Sequence, residues 1–311
     1  MRTAGVVALM LILPLAAAAE AAAASCPDIL VQAIPPRPAS AAAGSTFVRR
    51  ILDVSGAVRE NEIVAELRSG NIPDRLRRLE PVTLRAGGAA AEITICVGKD
   101  YLAIGSDSDF LRVPMGLQTA ITTATSFGFI LPTPRMVDAI YQQAEVRLAP
   151  APLPAGDEMR STPYYVTHDR LIAAQRGAVA PADGLVAGHK KDLVLTDRLW
   201  SKLGRVAIYG WHKPDGTAIQ PLSTVHGARY ADYSHGVRLV SLVAFVDGVP
   251  RSLLDLLQDP RIASTLTGEG PIDRVAELVR TLAAPAEAGL LESRAARLAE
   301  SVRSATAFAR H

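Results

Sequence analysis

The sequence predicts an α+β fold: a mainly antiparallel sheet with helices packed on it and a helical segment at the C-terminal end. Short runs rich in Val, Ile, Leu and aromatic residues, within residues 81–114 and 184–247, are separated by Gly- and Asp-containing turns and predict the strands. Helical spacing of apolar residues over 57–69 and 133–148 predicts helices that cover the sheet. Residues 271–311, rich in Ala, Leu, Arg and Glu, are assigned to C-terminal helices.

Residues 1–25 are typical of a signal peptide. Met1-Arg2 gives a positive start, the apolar run from Val6 to Leu15 is too short to span a bilayer, and an alanine-rich stretch with Ala-x-Ala cleavage choices follows. A membrane anchor and a lipoprotein acylated at Cys26 are the alternatives. We expect a secreted or periplasmic protein with no stable membrane span after cleavage.

The two cysteines predict a disulfide. Cys26 and Cys96 form an even pair without CxxC spacing, and an oxidising compartment favours their oxidation. Such a bridge would pin the start of the mature chain to a strand. It would also leave no thiol to act as a nucleophile.

Composition and missing motifs exclude several functional classes. A hydrophobic fraction of 49% and a net charge of +2 are ordinary for a globular domain and give no reason to expect nucleic acid as a partner. The chain contains no HExxH, GxSxG, GxxxxGK[ST], CxxC or GxGxxG motif. Common zinc peptidases, α/β-hydrolases and P-loop enzymes are therefore unsupported, and no nucleotide cofactor is expected.

Turn and breaker residues divide the chain into regions. The proline-rich segment near residue 35 predicts an N-terminal linker over 26–55. Residues 56–150 are predicted to form an α/β subdomain, with a helix capped by Ser55 and a β-meander over 81–114. A proline-rich connector at 149–156 marks the expected boundary, and 157–270 is a histidine-rich, strand-rich region that is expected to carry the site.

Five of the six histidines lie between His168 and His235, and four of these five lie in three motifs of this region. The first motif is Gly188–Asp192, where His189 and Lys191 share one face of a strand. The second is Tyr209–His212, where Trp211 could stack on a sugar. The alternatives are a solvated hairpin tip for the first motif and an aromatic core plug for the second.

The third motif, residues 226–239, is the most informative. Asp232, Ser234, His235 and Arg238 crowd into seven residues. Asp232 could orient His235, as a carboxylate does for a catalytic or metal-bound imidazole, and Arg238 could hold a substrate carboxylate through two hydrogen bonds. The alternative is a purely structural polar network.

These motifs lead to one functional hypothesis with two variants, an exported hydrolase acting on a cell-envelope polymer, either peptidoglycan peptides or a glycan. In the metal-free variant the catalytic candidates are His235, Asp232, His212 and Ser234. In the metal variant some of His189, Asp192, His226, His212 and His235 bind Zn²⁺ and activate water. The candidates for substrate binding are Arg238, Trp211, Tyr230 and Lys191. A non-catalytic module that binds a glycan or peptide, and a structural envelope protein, remain alternatives.

Two resemblances accompany these motifs. With GHKKD at 188–192, YGWH at 209–212 and the YxDYSHGxRLV motif ending at Val240, the chain resembles a family of secreted bacterial proteins of uncharacterised activity, from about residue 56 to 270. Residues 234–239 are similar to the Ser/Thr-His-Gly-Cys-x-Arg signature of the L,D-transpeptidase (YkuD) family, which cross-links peptidoglycan through a cysteine. Val237 stands at the position of that cysteine, so the transpeptidase mechanism does not carry over.

Overall fold

The computed structural model describes residues 25–85, 91–177, 184–283 and 291–308, so the predicted signal peptide lies outside the described residues except for its last position. The predicted α+β class is confirmed, because the described residues form nine α-helices and mainly antiparallel sheets. The helices are α1 Gly44–Ile51, α2 Gly56–Arg68, α3 Leu117–Ser126, α4 Pro134–Gln143, α5 Thr162–Gly177, α6 Leu253–Gln258, α7 Ala263–Thr267, α8 Val275–Leu282 and α9 Leu291–Phe308. The strands are β1 Leu79–Arg85, β2 Glu92–Gly98, β3 Ala103–Gly105, β4 Phe110–Arg112, β5 Phe129–Ile130, β6 Val146–Arg147, β7 Val186–Ala187, β8 Lys191–Leu193, β9 Ile208–His212, β10 Ala218–Ser223, β11 His235–Gly236, β12 Val240–Val246 and β13 Val249–Ser252.

The five-stranded main sheet has the order β1-β2-β12-β13, with β5 also paired to β12. Its central strands β2 and β12 are buried along nearly their whole length, which explains their continuous apolar sequences. Ala244 of β12 lies opposite Ile95 of β2, so the sheet joins segments from both sides of the connector at 149–156. The two predicted regions therefore share one sheet and one hydrophobic core.

The predicted β-meander over 81–114 is wrong in its strand order. β1 and β2 form one antiparallel hairpin, but β3 and β4 form a separate two-stranded sheet. The reason lies just after β2, where the chain bonds to the segment that enters β12 instead of folding back on itself. Gly98 N donates to Leu239 O at 2.9 Å, and Leu102 N donates to Val237 O at 2.8 Å.

The predicted N-terminal linker is also partly folded. Residues 44–51 form α1, whose Phe47 and Ile51 are fully buried in the core. The proline-rich segment before it is held by Arg37, whose Nε donates to Asn71 Oδ1 at 3.1 Å and to Gly105 O at 3.0 Å. Burial of two large apolar side chains outweighs the weak helical signal of this short segment.

Other local predictions are confirmed. The predicted helix over 57–69 corresponds to α2, although the Ser55 side chain does not make the predicted capping bond. Thr133 caps α4 by accepting a bond from Met136 N at 3.3 Å, but this helix ends at Gln143 and not at residue 148. Cys26 and Cys96 are joined by a disulfide with a Cα–Cα distance of 5.7 Å. Leu30, Val243 and Ala299 pack around it, so the bridge lies where α9 meets the main sheet. Within the described ranges, no helix has the length and apolar content needed to cross a membrane.

A second sheet, with the order β10-β9-β8-β11, carries the histidine motifs. β9 runs antiparallel to β8 and places Tyr209 opposite Asp192. β11 runs parallel to β8 and places His235 opposite Lys191, an exception to the mainly antiparallel pairing. The three motifs, which are separated along the chain, are therefore neighbours in one sheet.

Candidate functional site

The first histidine motif enters a buried charge cluster. His189 is 1% exposed, and its Nε2 lies 3.1 Å from Asp100 Oδ1. Asp100 also accepts from Arg112 Nη2 at 2.7 Å, and Arg112 Nη1 donates to Asp169 at 2.7 Å. Burial lowers the pKa of His189 to about 4 against the opposing effect of Asp100. Burial alone would raise the pKa of Asp100, but Arg112 and His189 hold it well below its usual range.

Lys190 lies on the opposite side of the same segment and is equally buried. Its Nζ donates to Tyr233 O at 2.5 Å and lies 3.1 Å from His168 Nδ1. Burial lowers the pKa of Lys190 to about 8 and lowers the pKa of His168 far below its ordinary value. A neutral His168 that accepts at Nδ1 carries its proton on Nε2.

Asp192 and Arg238 meet in the interior, together with Tyr101. Tyr101 OH donates to Asp192 Oδ2 at 2.7 Å, and the Arg238 guanidinium carbon lies 4.4 Å from the Tyr101 ring centroid. The two terminal nitrogens of Arg238 donate to Gly98 O and Val186 O, each at 2.7 Å. The sequence analysis assigned these two donor groups of Arg238 to a substrate carboxylate, but in the structure both bond to the main chain. Burial raises the pKa of Asp192 to about 6.

The third motif forms a compact network around Asp232. Ser234 Oγ donates to Asp232 Oδ1 at 2.6 Å, and Tyr230 OH donates to Oδ2 at 3.1 Å. His235 Nε2 lies 3.9 Å from that same Oδ2, beyond hydrogen-bond distance. His226 stacks on Tyr230 with 4.1 Å between ring centroids. Ser234 is fully buried and its hydroxyl bonds to Asp232, so within the described contacts no imidazole acts as its base.

Unsatisfied polar atoms are concentrated in this region. In the described part of the chain, six of the eight buried side-chain nitrogen and oxygen atoms without a partner belong to these motifs or to His168. Leaving a buried donor or acceptor unpaired costs roughly 1–3 kcal/mol. Several unpaired atoms in one region therefore lower the stability of the fold. The six atoms are Asp192 Oδ1, Trp211 Nε1, His168 Nε2, His189 Nδ1 and both ring nitrogens of His235.

Trp211 also belongs to this interior, and the half-buried Lys191 lies beside it. Trp211 has a φ of 57°, a left-handed backbone conformation that costs about 1–3 kcal/mol for a non-glycine residue and is often found at functional sites. Lys191 Nζ lies 5.1 Å from the Trp211 ring centroid. The Trp211 ring is 5% exposed, which corresponds to the core position that the sequence left open as an alternative to sugar stacking.

His212, by contrast, lines an open cavity of about 460 Å³. The walls come from α4, from the end of β9 and from the turn that follows it, and the side chains that matter are those of Asp138, Tyr141, Arg147, Tyr209, His212 and Asp215. We call this cavity the His212 pocket. It combines a histidine, two carboxylates and two tyrosines, the chemistry expected of a site for a polar ligand.

The geometry of the His212 pocket is that of an oriented imidazole. His212 Nε2 lies 2.9 Å from Asp138 Oδ1, and Tyr209 OH donates to the same oxygen at 2.9 Å. The Tyr141 ring stacks on His212 with 4.5 Å between centroids and 13° between planes. Burial and Asp138 raise the pKa of Tyr209, so its hydroxyl remains a donor. The other ring nitrogen, Nδ1, makes no hydrogen bond among the described contacts.

Asp138 is the site residue that sequence reasoning missed. It lies 74 positions before His212 on α4, a helix whose pattern indicated only core packing. The side chain of Asp138 is 29% exposed, and nothing local distinguishes it from a solvated helix face. Only the packing of α4 on β9 brings it to the imidazole.

The predicted site residues therefore make separate contacts and do not form one shared site. His189, His168 and His212 each bond to a different partner, and no two imidazoles stack on or bond to one another in the described part of the chain. The same part contains no group of three His, Cys, Asp or Glu residues that could hold a metal ion. The proposed zinc ligands His189, Asp192 and His226 belong to the Asp100, Tyr101 and Tyr230 contacts respectively.

Comparisons with known proteins give no relative: no family model, no curated protein and no solved structure matches this chain. The resemblance to a secreted bacterial family and to the L,D-transpeptidase loop therefore stays a prediction. Function has to be inferred from the geometry.

Proposed function

We propose that this chain is an exported hydrolase that acts on a cell-envelope polymer, with His212 as its general base in the His212 pocket. The observation that carries the proposal is the 2.9 Å contact between His212 and Asp138 in the wall of an open cavity. The disulfide supports export, because such bridges persist in oxidising compartments.

The proposed chemistry follows from the tautomer that Asp138 imposes. A carboxylate 2.9 Å from Nε2 favours the proton on that nitrogen and leaves the lone pair on Nδ1. Nδ1 can then take a proton from a water molecule as that water attacks the substrate, and the imidazolium can return this proton to the leaving group as the scissile bond breaks. Asp138 stabilises the imidazolium that forms, and Tyr209 holds Asp138 in place by donating to the same oxygen.

The lining of the pocket fits a polymer with polar groups. Tyr209 offers aromatic surface for a sugar ring, and Arg147 offers donors for hydroxyl, carbonyl or carboxylate oxygens. Asp192, from the first motif, lies close to His212, because both side chains border Gly210. A Cβ atom placed on Gly210 would lie 3.6 Å from Asp192 Oδ2 and 3.5 Å from His212 Cε1. The carboxyl of Asp192, with its pKa raised by burial to about 6, is thus a second titratable group close to the proposed base.

The test is fragment release from purified peptidoglycan and cell-wall polysaccharide, followed by chromatography and mass spectrometry. We expect His212→Asn and Asp138→Asn to reduce the rate by about 100-fold or more, the usual contribution of general acid–base catalysis. Asp53→Asn is the matched control for Asp138→Asn, because this exposed carboxylate does not line the pocket. Full activity of His212→Asn would refute the proposed base, and full activity in a chelator would count against the zinc variant.

A binding module without catalysis is the second candidate, and one observation favours it. Tyr141 covers one face of the His212 ring, which is only 3% exposed, so the imidazole is packed as well as hydrogen-bonded. In the same assay, a binding protein would retain the polymer in a pull-down and release no soluble fragment. This candidate would be established by two results together: Tyr209→Ala no longer retains the polymer, and neither the wild type nor any variant releases product.

A further inference from the structure

A second cavity, of about 350 Å³, lies on another part of the molecule and is lined by three arginines. It is formed by the start of α2, the 3-10 turn Asp157–Arg160 and the loop before β11, and it shares no lining residue with the His212 pocket. We call it the arginine cavity. Its cationic side chains are Arg59, Arg160 and Arg229.

Arg59 forms the buried end of the arginine cavity. It is 4% exposed, its Nη2 donates to Tyr165 OH at 2.8 Å, and its Nη1 donates to Thr162 Oγ1 at 3.2 Å. Its Nε is buried without any partner among the described residues. Both partners of Arg59 are neutral hydroxyls, so this buried positive charge has no carboxylate in direct contact within the described ranges. Such a charge is costly unless an anion pairs with it.

The first turn of α2 adds backbone donors. Ser55 and Gly56 line the arginine cavity, and the Ser55 side chain makes no capping bond to the amides of the helix. The amides at the beginning of a helix point outward and carry partial positive charge, which favours an anion. Gly56 has a φ of 54° and a hypothetical Cβ there would meet nothing within 4 Å, so space is open beside the first turn.

Arg160 and Arg229 form the exposed rim of the arginine cavity. Neither guanidinium makes an ion pair or hydrogen bond within the described part of the chain. Two acids, Glu60 and Asp157, also line the cavity, but the Glu60 carboxylate accepts from Gly116 N at 3.1 Å, and burial raises the pKa of Glu60 against the opposing attraction of Arg59. The arginines therefore outnumber the acids, and one of the acids is already bonded to the main chain.

We propose that the arginine cavity is a binding site for an oxyanion, the phosphate or carboxylate group of a ligand. Arg59 Nε and the first amides of α2 would bind it from inside, and Arg160 and Arg229 would close around it from the rim. Guanidinium groups suit both oxyanions, because their donors match two oxygens at once. The site is independent of the proposed hydrolase activity.

The test is titration of the disulfide-bonded protein with inorganic phosphate and, in parallel, with succinate, followed by calorimetry and by the thermal midpoint. We expect saturable binding of at least one of the two anions and a rise in Tm with its concentration, since a ligand of the native state stabilises it. The double variant Arg160→Gln/Arg229→Gln should bind roughly tenfold or more weakly, as expected for the loss of charge-assisted bonds. Arg170→Gln, an exposed arginine on α5 outside the cavity, is the matched control and should bind like the wild type.

Each outcome bears on the proposal. Preference for phosphate or for succinate identifies the source of the oxyanion. Absence of saturable binding by either anion overturns the proposal, and so does equal weakening in Arg170→Gln, which would indicate general attraction to a cationic surface. Because Arg160 and Arg229 are exposed, their replacement should leave Tm without ligand unchanged, so lost binding would not reflect lost folding.

Discussion

Replacement of Asp100 by Asn should destabilise this protein strongly, because Asp100 is the anionic centre of its buried charge cluster. The Asp100 side chain is fully buried and accepts bonds from Arg112 and His189, while Arg75 and Arg176 lie 3.4 Å away. Removing one partner of a buried ion pair costs about 3–5 kcal/mol, since the remaining charge stays buried. The Asn side chain keeps one acceptor oxygen, and Arg112 keeps its ion pair with Asp169. We therefore expect the free energy of unfolding to fall by about 3 kcal/mol, the lower end of that range.

The measurement is urea unfolding of wild type and variant, checked for two-state behaviour with two spectroscopic probes. A loss of that size corresponds to a fall in Tm of roughly 6–12 °C in a domain of this size. Asp74→Asn is the control, because the Asp74 side chain is 70% exposed and its 3.2 Å pair with Arg77 should contribute less than about 1 kcal/mol. A loss below about 1 kcal/mol for Asp100→Asn would show that the buried cluster does not stabilise the fold in the way argued.

Three further predictions concern stability. The pKa of His189 falls from its ordinary value to about 4 in the folded state, so the unfolded chain binds the extra proton first. Stability should therefore decrease as pH drops from 6.5 towards 4. Equal urea midpoints at pH 7 and pH 5, or a dependence of stability on pH that is unaltered in His189→Gln, would contradict this. Reduction of the disulfide, or Cys26→Ser, opens a link between residues 70 positions apart and should lower the free energy of unfolding by about 4 kcal/mol. A loss near zero would mean that the unfolded chain is compact even without the disulfide. Gly236→Ala should lower Tm markedly, because its Cβ would lie 2.5 Å from the Tyr101 ring, while Gly204→Ala meets nothing within 4 Å; similar Tm values for the two variants would refute the packing argument.

Local features were predictable from the sequence, and long-range ones were not. The cap of α4 by Thr133 follows from residue type and short spacing, and the pairing of the two cysteines follows from their being the only two in the sequence. By contrast, β12 adds to β2 across more than 140 positions, and no periodicity within either strand specifies that partner. The helix α1 was missed because it is short, has no side-chain cap and follows a proline-rich segment.

The site shows the same limit. The sequence identified His212 but not Asp138. It named His189 as a candidate zinc ligand together with other histidines, whereas the partner of His189 is Asp100, 89 positions away. Side-chain partners depend on which elements pack together, and a row of charged residues on a strand is compatible with both an open cleft and a closed interior. Pairing of β8 with β11 could not be read from a two-residue strand.

The position of the disulfide has a consequence for the order of events during synthesis of the chain. Cys26, Cys96 and both strands of the first hairpin have been synthesised once residue 98 has been made, long before β12 or α9 exists. At about 5–20 residues per second, the last helix follows roughly 10–40 s later. Before α9 forms, Ala299 and its neighbours cannot cover the two sulfurs. Once they dock, Cys96 is buried and Cys26 is half-buried.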